Sequence, residues 1–229
     1  MGTARLRFAQ WAERRAPGLW AAVGARPVKG TSMAATPVGT VWTGAGARFL
    51  VVLLAPDPRT TRWLAGSLVT RLGAVVLVPD PDADARGIES KVAELCAVNA
   101  LDPALTVIVG EGAGARRAAE LCGRVPAARI ALLYPPGLDD ADVTRFPTTL
   151  IQASASGPER AAVVALDSAL RRAGVAVRET EYLDIPDGWA RYPRTAPGSK
   201  RALDDLVAFL ERGVGSSSTF EVIPGWDLH

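Results

Sequence analysis

The residues best suited to chemistry cluster at Gly110-Glu111-Gly112-Ala113-Gly114-Ala115, which joins the apolar run Thr106-Val107-Ile108-Val109 to a helix-like stretch opening Arg116-Arg117-Ala118-Ala119. A glycine-rich link between strand and helix permits a strained turn that lifts a side chain above a sheet or seats a phosphate on the helix N-terminus. Glu111 and Asp187 are candidate acid–base carboxylates, and Ser154, Ser156 and Cys122 are candidate nucleophiles. What is missing is an imidazole. The only histidine is His229, the last residue, so the usual proton shuttle for serine or cysteine chemistry is absent.

The glycine run also satisfies G-x-G-x-x-A, a variant of the dinucleotide fingerprint. However, the following strand, Arg129–Tyr134, ends in Tyr134-Pro135-Pro136 where a ribose-binding Asp or Glu is expected. No metal or other cofactor is expected: neither cysteine spacing nor histidine count supplies a first shell for zinc or copper. Asp80-Pro81-Asp82-Ala83-Asp84 lacks the Gly and the distant Glu of a calcium loop and reads as a solvated acidic loop. The two cysteines, Cys96 and Cys122, fall in apolar helical patterns, where a thiol behaves as a small hydrophobe, and they fit a reducing cytoplasm.

A chain of 229 residues is long enough to bury one sizeable core, and its formal charge of +2 (26 Lys+Arg against 24 Asp+Glu) argues against a nucleic-acid partner. After residue 48, short apolar runs alternate with longer amphipathic ones. Strands are expected at Phe49–Leu54, Ala74–Pro79, Leu105–Val109, Arg129–Tyr134, Thr148–Ala153 and Ala176–Tyr182, with an edge strand at Val38–Thr43. Helices are expected at 59–72, 86–99, 113–123, 158–173 and 198–212, with Asp57, Asp84, Gly112 or Pro158 near their starts and Gly73 or Gly174 past their ends. That alternation predicts a doubly wound α/β domain with a mostly parallel sheet over residues 31–213, preceded by a basic helical segment at 1–30 and followed by a tail at 214–229.

Ordered motifs add a resemblance. The strand–elbow–helix at 106–119 is followed by Phe146-Pro147-Thr148-Thr149-Leu150-Ile151-Gln152, Leu170-Arg171-Arg172-Ala173-Gly174-Val175, Pro186-Asp187-Gly188-Trp189 and Ala202-Leu203-Asp204-Asp205-Leu206. This order resembles the hormone-sensitive-lipase-like esterases of the α/β-hydrolase superfamily over residues 48–212. In that family G-x-S-x-G forms the elbow, an acid follows the next-but-one strand, and the base lies in an H-G-F motif before the last helix. Carried over residue by residue, the resemblance implies replaced catalytic groups. Gly112 takes the nucleophile position, Ser156 (give or take one residue) the acid and Asp187 the base, while Ala55-Pro56-Asp57-Pro58 takes the H-G-G-G oxyanion loop, where two prolines offer no N–H. The old cleft is expected to involve Glu111, Gly112, Ala113, Asp187 and Trp189, and only about a dozen residues separate Tyr134 from Thr148, enough for at most a minimal cap.

The resemblance therefore implies a catalytically inactive protein, a pseudoenzyme acting as a binding or scaffolding module for a small apolar or acyl ligand or for a protein partner. The alternatives are an esterase-like hydrolase using a non-standard site built on Asp187 or Glu111, and a nucleotide-binding protein using the turn at 110–115. Residues 1–30 hold six basic side chains and one acidic one. Phe8, Trp11 and Ala12 share a helical face there, so residues 1–25 read either as a weak membrane-surface or partner contact or as a helix packed on the domain. Pro17 and Gly18 break the stretch that would otherwise resemble a cleaved signal. A dimer through an edge strand or the last helix is open.

Overall fold

The computed structural model of the chain describes Trp11 and residues 28–138, 141–193, 196 and 198–214. The expectations for the N-terminal helix and the C-terminal tail, Trp11 and residues 28–30 aside, lie outside these residues. The described chain forms eight strands: β1 (Ser32–Thr36), β2 (Gly39–Thr43), β3 (Phe49–Leu54), β4 (Ala74–Pro79), β5 (Val107–Glu111), β6 (Arg129–Leu133), β7 (Thr148–Ser154) and β8 (Val177–Tyr182). They make one sheet in the order β1-β2-β4-β3-β5-β6-β7-β8. The β1–β2 and β2–β4 pairs are antiparallel and the others parallel. Five helices cover it: α1 (Arg62–Leu72), α2 (Ala85–Val98), α3 (Gly114–Leu121), α4 (Arg160–Arg172) and α5 (Ser199–Val214).

Strands buried on both faces must be apolar throughout, which is why β3 and β4 read as unbroken hydrophobic runs. Alternate residues feed opposite cores: Phe49, Val51 and Leu53 pack with α1 and α5, whereas Leu50, Val52 and Leu54 pack with α2, α3 and α4. The sheet is thus wound on both sides. β3 and β5 are neighbours, but the helix after β3 covers one face and the helix after β5 the other, so their C-terminal ends flank a crevice at a topological switch point.

Local chemistry sets the element ends. Asp84 caps α2 by accepting from the Gly87 amide at 2.6 Å, and Gly73 closes α1 at φ +59°, donating its N–H to the Val69 carbonyl. The helix expected at 59–72 begins instead as a 3₁₀ turn, Pro58–Thr61, capped by Asp57. The strand expected from Leu105 starts at Val107, because Asp102 caps a 3₁₀ turn at Pro103–Leu105 that uses those residues first. β1 is an addition to the expected elements, forming the outer arm of a hairpin with β2.

Candidate functional site

The crevice between β3 and β5 holds the glycine turn. Gly112 sits at φ +54°, its N–H donating to the Leu133 carbonyl at 2.9 Å. Its two glycine neighbours are fixed by space: a Cβ on Gly114 would lie 2.2 Å from the Leu54 carbonyl oxygen, and one on Gly110 would lie 2.7 Å from Ala115 Cα. Only glycine lets β5, the turn and α3 pack this closely against β3. Position 112 differs, since a Cβ there would meet Tyr134 Cε2 at 3.7 Å and Pro56 Cγ at 3.9 Å, ordinary contacts. The turn therefore has a left-handed residue at its apex, and that residue, Gly112, carries no side chain.

Around Gly112 lies a cleft of about 550 Å³ that also takes in Glu111, Ala113, Pro56, Tyr134 and Asp187. Asp187 reaches it from the loop after β8. Its Oδ1 accepts the Ser154 N–H at 2.9 Å, and a Cβ on Gly157 would fall 1.9 Å from its Oδ2. Residue 187 therefore touches the end of β7 and the loop that follows it. Burial and then the charge of Glu159 push the Asp187 carboxyl up, against the Ser154 amide that favours its ionised form. Ser156, expected at the acid position from the resemblance, is exposed, and its Oγ lies 3.5 Å from Ser154 Oγ.

On the other wall Pro56 supplies no amide, while Asp57 and Pro58, which also has none, line a separate cavity with Trp42 and Arg62 rather than this cleft. Asp57 turns to its own segment, accepting the Arg59 amide at 2.9 Å and the Arg59 Nε at 3.1 Å. Burial raises the Asp57 carboxyl, but Arg59 outweighs it and holds the group below its usual range. The Arg59 N–H is thereby committed to a cap, and Ala55 is buried.

Glu111 is buried at 1% exposure directly under the elbow. It accepts the Tyr134 hydroxyl at 2.7 Å and pairs with Arg191 Nε at 3.1 Å. Burial, then the adjacent Glu111 charge and hydrogen bond, push the Tyr134 phenol well above its ordinary value, so it stays neutral, and Tyr134 itself holds φ +41° at the end of β6. These contacts fasten the 187–192 loop to the elbow. Glu111 acts here as a structural anchor. Trp189, grouped with the cleft from its sequence position, is instead 2% exposed in the core beneath, edge-on to Trp63 at 6.3 Å, with the turn at Gly188 (φ +81°) carrying the chain between the two environments. Cys122 is also core, its thiol pushed up to about 12 by burial.

Pro136, Pro158, Glu159, Gly188, Arg191 and Tyr192 complete the lining, and neither they nor Tyr134 were singled out as site residues by the sequence. The Tyr134–Pro136 segment gave the only hint, as a polar ring and two prolines at a strand's C-terminal end. The turn's own amides also weigh against a phosphate cradle, because Gly112 N–H and Ala115 N–H are spent on Leu133 and Gly112 carbonyls. Among the described residues no group of three or more His, Cys, Asp or Glu is placed to hold a metal, and no helix is long and apolar enough to cross a membrane.

The strand order, the switch-point crevice and the elbow define a fold of the α/β-hydrolase class. Solved structures agree. The chain is similar to a hormone-sensitive lipase from a metagenome library at TM-score 0.75 and 13% identity, covering 93% of this chain and 99% of that one. It is similar to carboxyl esterase 2 of the mycorrhizal fungus Tuber melanosporum at TM-score 0.71 and 16% identity, covering 91% and 98%. It is also similar to an esterase of Pyrobaculum calidifontis at TM-score 0.69 and 17% identity, covering 92% of each. No protein-family model and no curated protein matches the sequence.

Proposed function

We propose that this chain is a non-catalytic protein on an α/β-hydrolase fold that binds a small, neutral, largely apolar ligand in the cleft above Gly112. The observation that carries this reading is Gly112 itself: an elbow with space for a nucleophile and no side chain in it. Pro56 and the carboxylate at 187 support it, since each replaces a donor or base that acyl transfer needs. Rings of Pro56, Pro136, Pro158, Tyr134 and Tyr192 furnish apolar contact. Arg191 on the same walls is paired with Glu111, and Glu159 and Asp187 then disfavour an anionic ligand such as a free carboxylate.

A second reading, ester hydrolysis through a relocated site, draws on the raised Asp187 carboxyl, the kind of perturbation a general base shows. Turnover of short- and medium-chain aryl esters by the wild type, Asp187→Ala and Gly112→Ser separates the two. Absence of turnover above buffer in all three, with ester-induced thermal stabilisation of the wild type, is the expected result. Wild-type turnover lost in Asp187→Ala overturns the non-catalytic reading.

A further inference from the structure

The point in the cleft where a Cβ on Gly112 would stand is within touching distance of two rings. Tyr134 Cε2 and Cδ2 lie 3.7 Å and 4.0 Å from it and Pro56 Cγ lies 3.9 Å away, the nearest atoms outside residues 111–113. Carbon atoms touch at about 3.5–4.0 Å, so these ring atoms of Tyr134 and Pro56 stand apart by at most two such contacts laid end to end. Between them there is room for a single layer of carbon. All three nearest atoms are carbon, so the point is apolar, while the carboxylates of Glu159 and Asp187 line the cleft elsewhere.

Neither jaw is free to open. Tyr134 is 6% exposed, donates its hydroxyl to Glu111 at 2.7 Å and holds its backbone at φ +41°. Pro56 has a φ fixed by its ring and sits between the buried Ala55 and Asp57, whose carboxylate caps the next turn through the Arg59 N–H at 2.9 Å. The floor cannot sink either, because Gly114 is packed so closely on β3 that a Cβ there would lie 2.2 Å from the Leu54 carbonyl oxygen. A slot with rigid walls discriminates by shape, since close-packed surroundings do not yield to an extra layer of atoms.

We propose that this slot selects the ligand by thickness. The proposal rests on the ligand-binding reading above and assigns to the cleft a neutral ligand whose apolar end is one carbon layer thick, an aryl ring or an unbranched chain, lying over Gly112 between Tyr134 and Pro56. Globular or cage-like carbon groups of the same polarity are excluded. The bare glycine is then a specificity feature, because a methyl group at position 112 would take the space of the ligand's end.

Calorimetric titration of the full chain with two neutral probes, the methyl ketones of naphthalene and of adamantane, tests this. The probes share a polar group and have equal numbers of ring carbons, but one is flat and the other globular. The naphthyl ketone should bind at least about tenfold more tightly, and Gly112→Ala should weaken it by roughly tenfold or more. Gly174→Ala, at φ +79° beyond α4 with open space around it, imposes similar backbone strain away from the cleft and should leave binding unchanged. Pro56→Ala, at an exposed position, removes one jaw and should admit the adamantyl ketone, bringing the two probes to within about threefold of each other. Equal binding of both ketones by the wild type, naphthyl binding that survives in a folded Gly112→Ala variant, or no gain of the adamantyl ketone in Pro56→Ala overturns the slot while leaving a ligand-binding cleft. Failure of both ketones to bind the wild type overturns the ligand-binding reading and the slot with it.

Discussion

A side chain at position 112 would stand clear of its neighbours, yet φ +54° would keep it in the left-handed region. Gly112→Ser is therefore expected to fold at a cost of about 1–2 kcal/mol, read as a lower urea midpoint. Gly114→Ala, with a Cβ forced to 2.2 Å from the Leu54 carbonyl, should lose more than about 4 kcal/mol or fail to fold under the same assay. Glu111→Gln keeps an acceptor for Tyr134 but removes the negative charge beside Arg191. Because the Arg191 side chain is still 25% exposed, the expected loss is about 2–3 kcal/mol, below that of a fully buried pair, and the double variant with Arg191→Met should recover part of it. The elbow glycines and Asp187 were legible in the sequence because their spacing is local or set by ordered motifs. The Glu111–Tyr134–Arg191 group was not, because it joins three separate segments and an arginine in a loop carries no sign of where it will be buried.

Among the elements, β3 and β4 matched expectation to the residue, since an unbroken apolar run bounded by turn formers has one good solution in a parallel sheet. β1 was missed for the opposite physical reason. Its residues neither alternate nor bury, so no periodicity marks them, and the hairpin with β2 creates the strand. The seating of α5 on β7 and β8 rests on a buried polar chain. Gln152 Nε2 donates to Tyr182 Oη at 2.8 Å and to the Ala202 carbonyl at 3.0 Å, and Tyr182 Oη donates to Asp205 Oδ2 at 2.8 Å. Tyr182→Phe should cost about 1–2 kcal/mol and speed amide hydrogen exchange in α5 more than in α2, on the opposite face.

For the whole molecule, pH acts through Asp187. Its folded-state pKa is raised, so the fold disfavours the ionised carboxyl; that cost is absent below the unfolded value of about 4 and fully present once pH exceeds the folded value. Asp187→Asn, which can still accept the Ser154 amide, should raise the urea midpoint at neutral pH, and the gain should vanish toward pH ~3. The fastening of the 187–192 loop to the buried Glu111 and Tyr134 also has a kinetic consequence. That wall is held by contacts within the chain itself, so on the proposed ligand-binding reading capture in the cleft requires no slow rearrangement. Observed association rates should rise linearly with ligand concentration, without the plateau that a gated pocket imposes, and exchange should be limited by departure alone.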